Sequence, residues 1–166
     1  SKMNKIKVLH LVESLDDFYG GPAKSIPLLC SSINSNIFNV EIHSVRGKEA
    51  DTNYFCEKYS VRWMQHKYVF FRSFSLSISM FVYIFKIVVA NRRVIIHTHN
   101  FWNFVPMLAY FLKIFFRNKV VLVISLRGNI SREQTKKKIV WALFQKNMIK
   151  IADSIHVTNL KDYNNI

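Results

Sequence analysis

Glycine and proline are scarce in this 166-residue chain, at 4 and 3 residues, and neither a low-complexity tract nor an internal repeat interrupts it. That leaves little room for a flexible linker, so the chain reads as one packed domain. Cysteine is limited to Cys30 and Cys56, in unrelated contexts with no histidine cluster beside either. A disulfide framework and a cysteine-based zinc site are therefore not expected, and a reducing compartment fits best. The polar, basic start from Ser1 to Lys7 is not followed by a long apolar run and a small-residue cleavage site, so it does not read as a secretory signal. Acidic residues are few as well: 10 Asp and Glu stand against 24 Lys and Arg, for a formal charge of +14 and a pI near 10.0.

No hydrophobic run is long enough to cross a bilayer comfortably. In the best candidate, Phe74 to Ala90, Lys86 is the only charge, but three serines dilute its first half. As a helix it spans about 26 Å, short of the roughly 30 Å hydrocarbon core. A buried or surface-lying helix is the expectation.

Half of the chain is apolar and 14% is aromatic, enough for one continuous core. Lys5 to Ser14 (KIKVLHLVES) has the length and apolarity of a strand buried on both faces of a parallel sheet. Gly20, Gly21 and Pro22 then suit a turn and the first turn of a helix, with Pro27 expected to kink or tighten it. Phe38 to Val45 alternates like a second strand, Gly47 to Ser60 reads as loop or short helix, and Val61 to Met64 as a short third strand. Phe74 to Ala90 is the long helix. It is followed by strand Val94 to Thr98, helix Trp102 to Phe116, strand Lys119 to Ser125, an amphipathic helix from Ser131 to Ala152, and strand Ser154 to Thr158. This order predicts an α/β fold with a doubly wound, Rossmann-like parallel sheet. Ligands of such sheets lie at the carboxyl ends of the strands, where DDFYGGPAKS, HNFWNF and LRGNIS fall.

Each of these segments has a functional and a plain reading. Glycines before a helix N-terminus can cradle phosphate on free backbone N–H groups, or simply turn the chain; the pattern is neither GxGxxG nor a Walker loop. In HTHNFWN, His97 and His99 share a face if the strand continues, His99 facing ligand and His97 deeper as a hydrogen-bonded neighbour. A zinc site needs at least one more protein ligand, and none is evident nearby. Arg127, after KVVLVIS, can hold phosphate or carboxylate through its planar fork, or bond loop carbonyls.

Taken together, KVLHLVESLDDFYGGPAKSI, HTHNFWN, VLVISLRGNIS and KKKIVWALFQKNMIKIADSIHVTN resemble the N-terminal domain of family 4 glycosyltransferases of the GT-B fold. The resemblance covers nearly the whole chain. It implies a retaining transfer from a nucleotide-sugar donor to a lipid-linked or polysaccharide acceptor, as in polysaccharide or lipopolysaccharide biosynthesis, with no metal or other cofactor. It also implies that His99 faces the donor sugar, that Gly20 and Gly21 lie near the diphosphate and acceptor, and that Arg127 and Gly128 border the cleft. Asn100, a further candidate contact, stands where relatives often have Gly, and Leu126 where they often have Pro. The chain would be the acceptor-side half, with the donor-binding C-terminal domain absent and the half alone inactive.

The charge must attract polyanions, but the basic residues are spread along the chain rather than gathered in an arm. An anionic membrane surface and a phosphate-bearing ligand are expected, without nucleic acid, and a cytoplasmic location at the inner face of the cell membrane. The alternative is a non-enzymatic membrane-binding subunit that recruits a separate catalytic chain.

Overall fold

The computed structural model describes residues 5–15, 21–46, 52–56, 60–67, 76–99, 103–126 and 144–157. They form an α/β fold in which six parallel strands and one antiparallel strand make a single sheet flanked by helices, a Rossmann-like doubly wound arrangement. In chain order the elements are β1 (Ile6–Val12), α1 (Gly21–Ser31), β2 (Phe38–Arg46), β3 (Thr52–Cys56), β4 (Val61–Lys67), α2 (Ile78–Ala90), β5 (Val94–Thr98), α3 (Phe104–Phe115), β6 (Val120–Leu126), α4 (Lys146–Ile151) and β7 (Ser154–Val157). Their order across the sheet is β3-β4-β2-β1-β5-β6-β7.

The two faces have separate cores. Leu9, Leu11, Ile96, Leu122 and Ile124 point to one face, where Met80, Ile84 and Val88 of α2 and Val105, Leu108 and Leu112 of α3 cover them. On the other face Val12 and Ile42 pack with Ile26 and Cys30 of α1. Burial on both sides explains the nearly continuous apolar runs of β1 and β6.

Several boundaries differ from the sequence reading. Within the segment read as loop or short helix, Thr52–Cys56 is a strand, paired antiparallel to β4 from Thr52 opposite Gln65 to Cys56 opposite Val61. β4 itself runs on to Lys67 because it pairs with β2 as far as Arg46. α2 begins at Ile78 because Ser77 caps it: the Ser77 hydroxyl accepts from the Met80 N–H at 3.2 Å and donates to the Lys67 carbonyl at 2.7 Å. Asn103 caps α3 likewise, accepting from the Val105 N–H at 3.1 Å. Pro27 lies within α1, whose helical assignment is unbroken from Gly21 to Ser31. Of the helix expected over Ser131 to Ala152, only the end containing α4 is among the described residues.

A buried cation closes the β7 edge. Lys113, 7% exposed on α3, donates to the Asp153 carboxylate at 2.6 Å and to the Val120 carbonyl at 2.8 Å. The same Asp153 oxygen accepts from the Leu122 N–H at 2.7 Å, so one carboxylate joins α3, β6 and the turn into β7.

Candidate functional site

Between β1 and β5 the chain direction of winding reverses: β2 and β4 lie to one side of β1, and β6 and β7 to the far side of β5. Open α/β sheets bind ligands outside the carboxyl ends of strands at such a switch point. Here that point carries three imidazoles. His10 stands one residue from the register pair Leu11 and Thr98 and is itself paired with His97. The ladder is extended past β5 by the His99 N–H donating to the Leu11 carbonyl at 3.0 Å, which clamps His99 against the end of β1.

His10, His97 and His99 therefore share the face opposite α2 and α3. Nδ1 of His10 and Nε2 of His99 are 2.9 Å apart, with rings nearly parallel at 16° and centroids 5.2 Å apart, an in-plane hydrogen bond between imidazoles. The His97 ring stacks on His99 at 4.2 Å between centroids. One nitrogen from each of the three residues lies within 4.8 Å of the others. Beyond them the polar row continues: His97 Nε2 meets the Ser125 hydroxyl at 2.7 Å, and that hydroxyl meets His156 Nδ1 at 3.0 Å. Five side chains from β1, β6, β7 and the end of β5 thus run from exposed His156 to fully buried His10.

Burial governs the electrostatics of this row. It disfavours a charged His10, and the nearby His97 adds to the effect, so the His10 pKa falls from 6.5 to about 3 and the ring is neutral. Nε2 of His10 and the hydroxyl of Thr98 have no hydrogen-bond partner among the described residues. A buried nitrogen left so costs stability.

The shared face of His97 and His99 is as expected from their spacing, but their depths are reversed. His99 is 3% exposed and His97 is half-buried. The cause is geometric: His99 folds over the end of β1, while His97 lies over β5, on a face where α1 packs against β2 and β4. Gly21 opens α1, and a Cβ built there meets nothing within 4 Å, so no close approach by described atoms demands glycine at this position. Gly20, Asn100, Arg127 and Gly128 lie outside the described residues.

His10 was not singled out in sequence, because it sits inside an apolar run and 89 residues before its partner His99. The signal was available in the fold itself, since β1 and β5 neighbour each other at the centre of a doubly wound sheet and each carries histidine near its carboxyl end.

A second surface feature lies on the opposite face. α2 and α3 leave a groove of about 540 Å³ lined by Phe81, Phe85, Phe104, Phe111, Phe115 and Phe116 with two leucines. Phe115 is 76% exposed, and Lys86, Arg92, Arg93 and Arg117 are exposed on the same helices and the turns that end them. None of the described helices is long and apolar enough to cross a membrane. No protein-family model, curated protein or solved structure matches the chain.

Proposed function

We infer that this chain is the acceptor-side half of a retaining glycosyltransferase, moving a sugar from a nucleotide-sugar donor to a lipid-linked or polysaccharide acceptor at the inner face of the cell membrane. The observation that carries this reading is the position of His99, held by its backbone and by His10 at the carboxyl end of β5, beside the switch point. In a retaining transfer positive charge develops on the sugar ring as the diphosphate leaves. An imidazole held rigidly there orients the sugar and stabilises that charge through polar contacts, while the departing diphosphate takes the acceptor's proton. Preorganised polar groups of this kind act without reorganising at the moment of reaction.

Transfer by the full gene product, assayed with a panel of nucleotide sugars and lipid-linked acceptors, tests the reading. Nucleotide release that needs both substrates is expected, lowered about a hundredfold in folded His99→Ala, as loss of one transition-state contact typically does. Absence of release with every donor, or undiminished turnover in the variant, overturns it.

The phenylalanine groove, on helices that also expose Lys86 and end in turns with exposed Arg92, Arg93 and Arg117, favours a second reading, a membrane-binding subunit without catalysis of its own. Under that reading the full gene product binds anionic vesicles and releases no nucleotide from any donor.

A further inference from the structure

We propose that His10, His97 and His99 form a binding site for a divalent cation of the zinc class. The inference goes beyond sugar transfer and does not rest on it. Two histidines two residues apart fall short of a protein-held metal; His10, delivered by β1, makes a set of three, with a nitrogen from each within 4.8 Å of the others.

An ion would take the place of the proton that His10 and His99 share, with the third ring drawn in to meet it. Imidazoles bound to one tetrahedral zinc at about 2.0–2.1 Å have nitrogens about 3.3 Å apart. Nδ1 of His10 and Nε2 of His99, at 2.9 Å, need to part by a few tenths of an ångström, while the widest separation in the set, as much as 4.8 Å, must close by about 1.5 Å as the rings turn toward one point. The third ring has the outer support a metal ligand commonly carries. His97 Nε2 lies 2.7 Å from the Ser125 hydroxyl, and when that nitrogen donates, the ring is in the tautomer that presents Nδ1 to an ion. An all-imidazole set selects zinc, cobalt, nickel or copper over magnesium and calcium, which prefer oxygen. Three protein ligands leave one position of a tetrahedral ion for water or for an oxygen of an anionic substrate. The site lies where that substrate is expected, at the carboxyl ends of β1 and β5.

Metal binding is tested on the purified chain by titrating zinc against a chromophoric chelator, and by the visible spectrum of the cobalt form. One equivalent of zinc, a tetrahedral cobalt spectrum and no displacement by magnesium are expected. His10→Ala and the half-buried His97→Gln should each weaken zinc binding about a hundredfold or more, and Ser125→Ala about tenfold, the usual cost of losing an outer partner. Circular dichroism identifies any variant that has not folded, and His97→Gln then decides the matter alone. Failure to bind micromolar zinc, binding unchanged in folded His10→Ala or His97→Gln, or equal binding of magnesium overturns the site. Since only the metal is measured, these outcomes stand apart from the transfer assay.

Discussion

The carboxylate of Glu41 stands 3.3 Å from Nε2 of His43, both side chains sealed within the sheet beneath α2. His43 passes the contact on, its Nδ1 lying 2.9 Å from Nε2 of His66, while Lys7 donates to Glu41 at 2.5 Å. Burial works against charge on His43 and outweighs the hydrogen bond and charge of Glu41, so its pKa lies below 6.5 and the ring is neutral. Burial alone would raise the Glu41 carboxyl, but the hydrogen bonds from His43 and Lys7 and the charge of Lys7 prevail and bring it from 4.5 to about 2.

Both shifts make the fold acid-labile. An unfolded histidine takes up a proton below about pH 6.5 that folded His43 refuses, so stability falls from there downward, by about 1.4 kcal/mol per pH unit for one site. The Glu41 contribution is complete above about pH 4.5 and is lost toward about pH 2, about 3 kcal/mol in all. Glu41→Gln should remove this lower phase and cost about 3–5 kcal/mol at neutral pH, as breaking a buried pair does. Urea unfolding between pH 7.5 and about 2 is the measurement; a free energy that stays flat from pH 7 to 5, or a lower phase that persists in Glu41→Gln, defeats the prediction.

The strands were legible because apolar runs of strand length, separated by helical periods, leave little choice but parallel strands with crossovers. Thr52–Cys56 was not, since TNYFC is short and its strand character comes from β4 pairing alongside it. The helix starts were misread because Ser77 and Asn103 look like ordinary members of their segments until their side chains are seen accepting from the first turns. His99 could be placed from its strand end, but its contact with His10 depends on β1 and β5 being neighbours. Glu41, His43 and His66 were missed for a different reason. In FNVEIHSV the polar residues alternate as if facing water, and only the cover of α2 turns that face into an interior where they must satisfy one another.

Cys30 offers a direct check on α1. It is 2% exposed, and burial pushes its thiol from 9.0 up to about 12, so almost no thiolate exists near neutrality. In a Cys56→Ser background, Cys30 should react with a thiol reagent at pH 8 at least a hundredfold more slowly than a free cysteine, and at the full rate in urea. Rapid labelling of the native protein would mean that α1 does not cover the sheet as described.

The groove between α2 and α3 predicts how the chain meets a bilayer. Exposed apolar groups are ordinary when scattered, but Phe81, Phe85, Phe111 and Phe115 line one concave surface. Lys86, Arg92, Arg93 and Arg117 are exposed on the same two helices and the turns that end them, and basic side chains at an anionic surface contribute about 1 kcal/mol each, less as salt screens them. Charge should thus bring the surface to the bilayer, and the phenylalanines should hold it there by leaving water. Transfer of one exposed Phe out of water is worth about 1.5–3 kcal/mol, so Phe115→Ser should lower partitioning onto anionic vesicles roughly tenfold or more. Because Phe115 is the most exposed of the four, at 76%, the substitution should leave thermal stability nearly unchanged. Arg92→Gln with Arg93→Gln should weaken binding at low salt and matter little at high salt. Co-sedimentation with anionic and neutral vesicles reads both effects; equal binding to the two kinds, or a Phe115→Ser chain that binds like the parent, would move the membrane contact away from this groove.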